Sequence, residues 1–192
     1  MKPRIYLKNG IYHLIARGNN QQNIFLKKQD FERFLLKMEI YTKKYSVKII
    51  SYCLMKNHIH LLIEQLTELP ISKFMQALTV GYAMYFNKKY KRSGHLFQGR
   101  FHFSQITTEE YLIHLSRYIH LNPVAAKIVG KPEDYSWSSY KEYLGLEETP
   151  WVKKEVVLEF FKKTKTVADY KEFVNSQIPE AIERQIQKLT LE

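Results

Sequence analysis

His58 and His60 stand one residue apart in the run SYCLMKNHIHLLIE, residues 51–64. The run reads as a buried strand, in which successive side chains alternate between faces. Both imidazoles therefore point one way while Ile59, Leu61 and Ile63 point the other. Two neutral imidazoles on one face form a pincer for a divalent ion, but two donors do not complete a site. Further candidates stand about sixty positions along the chain, where His114, Tyr118 and Asn122 recur every fourth residue and so share one stripe of a helix, beside Tyr111. If that helix crosses the histidine face, a phenol and an amide reach the imidazoles together, with Leu112, Leu115 and Ile119 on the neighbouring arc to anchor it.

The charge pattern says what such a site would act on. The chain carries 30 Lys and Arg against 19 Asp and Glu, but residues 1–132 hold 21 basic against 7 acidic, and residues 133–192 hold 9 against 12. The binding surface belongs to the first part. No acidic residue lies between Glu68 and Glu109, where Lys73, Lys88, Lys89, Lys91, Arg92 and Arg100 alternate with Tyr82, Tyr85, Phe86, Tyr90, Phe97, Phe101 and Phe103. Cations for phosphates and aromatic faces for unstacked bases are the ingredients of a single-strand nucleic-acid surface; the blander reading is a solvated basic face over an aromatic core. The candidate DNA contacts are Arg17, Asn19, Lys88, Lys89, Lys91, Arg92 and Arg100. Arg17 and Asn19 read equally well as the end of a first strand. Trp137 with Ser138 and Ser139 reads as a packing motif, and His95 and His102 as surface or DNA-facing groups.

The elements that must position these residues follow from periodicity. IYHLIARG (11–18) is a strand ended by Gly18, Asn19 and Asn20. Asp30 reads as the N-cap of a helix on which Phe31, Phe34, Leu35, Met38 and Tyr41 recur. VKIISYCLM (47–55), a tight connection at Lys56 and Asn57, and HIHLLIE form a strand pair. A second helix runs from about Ser72 to Lys89, and RFHFSQI (100–106) is a fourth strand. The order β-α-β-β-α-β predicts an α+β, ferredoxin-like fold, with both helices on one face of an antiparallel sheet and the other face free. Thr107 with Glu110 reads as the capping box of the added helix, which stops near Asn122 and Pro123. Residues 1–130 form the main unit. Residues 131–192 form a mostly helical extension with helices near 151–163 and 166–190.

With no continuous apolar run of membrane-spanning length and no signal-peptide pattern, the expected location is the cytoplasm, without a membrane partner. The single cysteine, Cys53, reads as a small buried hydrophobe.

Five blocks together, YHLIARGNN, MKNHIHLLIE, YFNKKYKRSGHLFQGRF, YLIHLSRYIHLNPVAAKIV and DYSWSSY, resemble the single-tyrosine HUH transposases of the insertion-sequence-200 type. They are still more similar to the REP-associated tyrosine transposases, over residues 5–145. The resemblance implies that His58 and His60 are metal ligands, that Tyr118 is the nucleophile and that Asn122 supplies the third ligand, where some members carry Gln. It implies Mg²⁺ or Mn²⁺ as the cofactor, single-stranded DNA with hairpins as the partner, and cleavage and rejoining through a 5′-phosphotyrosine link. The ion, His114 or a solvent base could accept the phenol proton. The family works as monomer or homodimer, and the extension could decide which. The alternative is a domesticated, non-catalytic single-stranded DNA- or RNA-binding protein.

Overall fold

The computed structural model describes residues 6–161, 167–176, 180 and 184. Strands β1 (Ile11–Arg17), β2 (Val47–Met55), β3 (His58–Gln65) and β4 (His102–Ile106) form one antiparallel sheet in the order β2-β3-β1-β4. Helices α1 (Lys28–Tyr45) and α2 (Ile71–Lys89) fill the two crossovers, so the expected β-α-β-β-α-β order is observed. The alternation of side chains divides the sheet cleanly. Tyr12, Leu14, Ala16, Ile59, Leu61 and Ile63 join Phe34, Met38, Phe74, Leu78 and Tyr82 of α1 and α2 in one core. A bulge between Ile49 and Ser51 shifts the register of β2, which puts Ile50, Cys53 and Met55 on the opposite face.

That opposite face is taken by the added helix, as its anchoring residues predict. Helix α3 (Glu109–Ala125) lies over β2 and β3 and buries Leu112, Leu115 and Ile119 against Ile50, Cys53, Met55 and Leu62. Each such side chain contributes about 1.5–3 kcal/mol when fully buried. The same cluster takes in Tyr135, Tyr140, Tyr143 and Tyr170, so it draws on both sides of Gly130. After Gly130 come the short helices α4 (Tyr140–Tyr143) and α5 (Glu155–Leu158), then α6 (Val167–Asn175); of the rest of the helix expected over 166–190, all but residues 176, 180 and 184 lies outside the described residues.

The extension also covers the outer edge of β2. Ser138 bridges Cys53 and Val152 bridges Ile49; the Trp137 carbonyl accepts from Leu54 N–H at 2.8 Å, and Lys153 N–H donates to the Ile49 carbonyl at 2.7 Å. An edge strand covered in this way cannot pair with another chain. Trp137 stacks on Phe31 with ring centroids 4.6 Å apart, the packing role expected of it. Among the described residues no helix is long and apolar enough to cross a membrane.

Asp30 is not the N-cap of α1. The helix begins at Lys28 with Lys27 as N-cap, and Asp30 is its third residue. Its Oδ2 accepts the backbone N–H groups of Leu26 and Lys27, both at 2.9 Å, and the Tyr90 hydroxyl at 2.7 Å. Its Oδ1 accepts Lys89 Nζ at 2.6 Å and the Tyr85 hydroxyl at 3.1 Å. Burial alone would raise this carboxyl, but the bonds from Lys89, Tyr90 and the two amides outweigh it and hold the pKa at about 2. Asp30→Ala leaves the amides of Leu26 and Lys27 and the hydroxyls of Tyr85 and Tyr90 without their acceptor, and is expected to lower the unfolding free energy by about 3 kcal/mol. Lys89→Ala, whose ammonium is partly solvated, is expected to lower it by about 1 kcal/mol. Urea titration at pH 7 measures both, and an unchanged midpoint in Asp30→Ala would show that the buried carboxylate stabilises nothing.

Candidate active site

The ladder between β1 and β3 sets Arg17 opposite His58 and Ile15 opposite His60. Directly paired residues share a face, so Arg17 and the two histidines stand together at one end of the sheet. The turn before His58 is fixed from outside: Gly18 N–H donates to the Asn57 carbonyl at 2.7 Å, and Ile24 N–H to the Lys56 carbonyl at 2.8 Å. Gly18 must be glycine, because a Cβ there would strike the carbonyl oxygen of Gln22. Asn57 then sets the protonation of His58. Its amide nitrogen donates to the Gln21 carbonyl, which leaves Oδ1 to accept from His58 Nδ1 at 2.7 Å. The proton is thereby on Nδ1, and Nε2 keeps its lone pair.

His60 has a comparable support that the sequence did not reveal. His13 Nε2 lies 3.0 Å from His60 Nδ1, with the rings stacked at 12° and their centroids 5.3 Å apart. Placing the shared proton on His60 Nδ1 leaves His60 Nε2 as a lone pair, the tautomer Asn57 imposes on His58. Burial holds these rings neutral. It lowers His13 to about 3 and, with the Arg17 charge, His58 to about 4; His60 falls well below the usual range through burial, then through His13, His58 and Arg17. An outer partner of a ligating imidazole typically contributes 10–100-fold in metal affinity. His13→Phe is expected to weaken Mn²⁺ binding within that range, about 30-fold, while His13→Gln, which keeps an acceptor, retains most of it. Titration of free Mn²⁺ by electron paramagnetic resonance reads the difference, and equal affinity in the Phe variant would remove His13 from the role.

Helix α3 starts one residue later than expected. Thr108, not Thr107, is the N-cap and accepts from Tyr111 N–H at 3.3 Å. The helix also runs through Pro123 to Ala125 instead of stopping there. Proline removes one donor, and in the last turn few bonds remain to be lost. The Tyr118 ring meets the His60 ring edge-on, at 88° and 5.8 Å between centroids. One turn on, Asn122 Nδ2 donates to the Tyr118 carbonyl at 2.9 Å, leaving Oδ1 as the acceptor of that amide. His114 faces elsewhere. Its Nδ1 accepts from Arg117 Nη2 at 2.8 Å and its ring packs on Phe173. Arg117 is fully buried and also donates to the Phe173 carbonyl and to Ser176 Oγ at the end of α6. Sequence reading missed it, as it missed His120, which is bonded to Ser139 and Tyr170.

His58 and His60 stand together, with ring centroids 4.9 Å apart, and two donors leave a metal site incomplete. Among the described residues no three His, Cys, Asp or Glu side chains converge as a ready cage. Two neutral imidazoles suit a softer divalent ion, and a hard cation bound beside them would need oxygen ligands from elsewhere, such as a substrate phosphate.

The candidate DNA cations fall into groups. Arg17 is at the histidine edge, and Asn19 follows it in the loop whose N–H donates to the Leu96 carbonyl. Arg92 reaches that loop through Gln22 Oε1 at 2.5 Å, and Lys88 and Lys91 are exposed nearby in the chain. Arg100 is exposed beyond them. Lys89 differs, because its ammonium is bound to Asp30.

The family model described as "Transposase IS200 like" matches residues 6–122. Among solved structures, a REP-associated tyrosine transposase bound to a REP hairpin is similar with a TM-score of 0.64 at 14% identity, over 80% of this chain and 96% of that one. A putative transposase from Deinococcus radiodurans R1 gives a TM-score of 0.45 at 17% identity, over 62% and 95% of the two chains. A search of curated proteins finds no match.

Proposed function

Because the chain belongs to the IS200-like transposase family, we propose that it cleaves and rejoins single-stranded, hairpin-bearing DNA through a 5′-phosphotyrosine link at Tyr118. The observation that carries this reading is the approach of the Tyr118 ring to His60, 5.8 Å between centroids, on the face that also bears His58. His58, His60 and Asn122 would hold Mg²⁺ or Mn²⁺. Such an ion orients the scissile phosphate and stabilises the charge that builds on its oxygens.

The residues of the chain do the rest. The Tyr118 oxygen attacks phosphorus, the bond to the 3′ oxygen breaks, and that oxygen leaves as a 3′-hydroxyl. The new phosphodiester keeps the energy of the old one, so a second 3′-hydroxyl can reverse the step, join new ends and restore the phenol. His114 faces away from the histidine pair, bonded to Arg117 and packed on Phe173, so the phenol proton passes to water and the leaving oxygen takes its proton from water. Arg17, Asn19, Lys88, Lys91, Arg92 and Arg100 hold the strand by its phosphates. Lys89 acts through Asp30, fixing the end of α2 that presents its neighbours.

Hairpin DNA labelled on either side of the cut tests this. With Mn²⁺, the fragment labelled at its 3′ end is expected to become linked to protein under denaturing conditions, and the fragment labelled at its 5′ end to be released. Linkage of the opposite fragment would overturn the polarity, and binding without linkage under any divalent ion would favour a non-catalytic binding protein.

A further inference from the structure

Strand β4 does not follow β1 to its end. Ile15 pairs with His102, so an unbroken ladder would set Gly99 opposite Gly18, yet Gly18 bridges Phe97 and Gln98 N–H donates to the Arg17 carbonyl at 2.8 Å. Two extra residues are therefore looped out between Gln98 and His102. The loop turns at Gly99, whose φ of +54° is in the left-handed region that glycine tolerates. A wide bulge of this kind beside a site re-aims its side chains. Here it stands off from α2 and encloses a groove of about 490 Å³ floored by Ala16.

The walls of the groove are of three kinds. Phe97 and Phe101 offer aromatic faces, Gln76 and Gln98 offer amides, and Lys73 and Arg100 offer positive charge. Tyr6 also lines it, with a buried hydroxyl that has no hydrogen-bond partner among the described residues. An amide can donate and accept at once, which suits the edge of a nucleobase. The aromatic faces suit its plane, and the cations suit the phosphates on either side. A volume of this size matches a pocket for one small ligand. The floor residue immediately precedes Arg17, which faces His58, so a strand entering here has a short route over the sheet edge to the candidate active site.

We propose that this groove holds one unpaired base of the DNA strand that adjoins the hairpin, and so sets the distance from hairpin to cut. The inference rests on the reading of the chain as a binder of single-stranded hairpin DNA. It is tested with the full-length protein in EDTA, where no cleavage occurs, using a blunt hairpin and the same hairpin with an unpaired extension, in which 2-aminopurine replaces each extension base in turn. One position is expected to lose fluorescence on binding by stacking, and the extended hairpin to bind about tenfold more tightly than the blunt one. Thr79→Trp, which fills the groove, is expected to bring that ratio close to one, and Gln76→Ala, an exposed helix position that folding tolerates, to lower it severalfold. A ratio unchanged in both variants, or quenching spread evenly over the extension, overturns the groove while leaving hairpin binding intact. Failure of the protein to bind either DNA overturns the groove and the underlying reading together.

Discussion

Tyr118→Phe is expected to abolish the covalent protein–DNA species while hairpin binding persists. The substitution removes one oxygen and keeps the ring that meets His60 edge-on, so packing on the histidine face is preserved and only the nucleophile is lost. Removing the nucleophile from a concerted catalytic set typically reduces turnover by orders of magnitude, and a loss of at least about 10³-fold is expected. The nearest rival on the same helix is Tyr111. It is 4% exposed, and burial, reinforced by Tyr118, raises its phenol to about 12, so it offers neither access nor a readily lost proton. A denaturing gel with labelled hairpin DNA and Mn²⁺ reads the result. Full adduct in Tyr118→Phe, or its loss only when Tyr111 is also replaced, would move the chemistry off Tyr118.

The parts of the site that the sequence revealed are those that depend on one element at a time. Alternation in HIHLLIE puts His58 and His60 on one face whatever the strand pairs with, and fourfold spacing puts Tyr118 and Asn122 on one stripe whatever the helix crosses. The parts that were hidden depend on two elements at once. His13 sits in a strand that reads as apolar alternation; only the register that sets Ile15 opposite His60 brings its ring to that of His60. Lys89 looks like its basic neighbours until Asp30, 59 residues earlier, is folded against it. Arg117 reads as one more surface charge on α3, and becomes a buried clamp only because α6 ends on it. Thr107 for Thr108 is an error of one residue with a local cause, two adjacent threonines offering equivalent caps, whereas the N-cap of α1 is Lys27, three residues before Asp30, whose carboxylate accepts the N–H groups of Leu26 and Lys27 from inside the first turn. The second roof of the sheet was legible only in part: Leu112, Leu115 and Ile119 predict the anchored helix, but Tyr135, Tyr140, Tyr143 and Tyr170, which complete the same cluster, come from an extension that reads as separate from residues 1–130.

The same two roofs make the fold acid-labile. His13 and His60 are 1% and 2% exposed and His120 is fully buried, its two ring nitrogens bonded to Tyr170 and Ser139. Burial lowers His120 to about 3, as it does His13, and lowers His60 well below its usual value, with smaller contributions from His13, His58 and Arg17. The unfolded chain takes up these protons near the reference value of about 6.5, whereas the native state refuses them. Below that value the unfolded state holds more protons, so stability, fully present above about pH 6.5, declines as pH falls toward the native values. Each histidine contributes about 1.4 kcal/mol per pH unit, so the three together are expected to remove about 4 kcal/mol between pH 6 and pH 5, a large share of a typical total. His58, held at about 4 by burial and by Arg17, acts in the same direction. Urea unfolding at pH 7.5, 6 and 5 measures the slope. His120→Gln isolates one member whose ring nitrogens face Tyr170 and Ser139 and not the histidine pair: whatever it does to stability at pH 7.5, it is expected to make the decline shallower by about one proton. Equal stability at pH 7.5 and 5 would show that the native state accepts these protons, and that the neutral histidine pair behind the candidate metal ligands is not enforced by the fold.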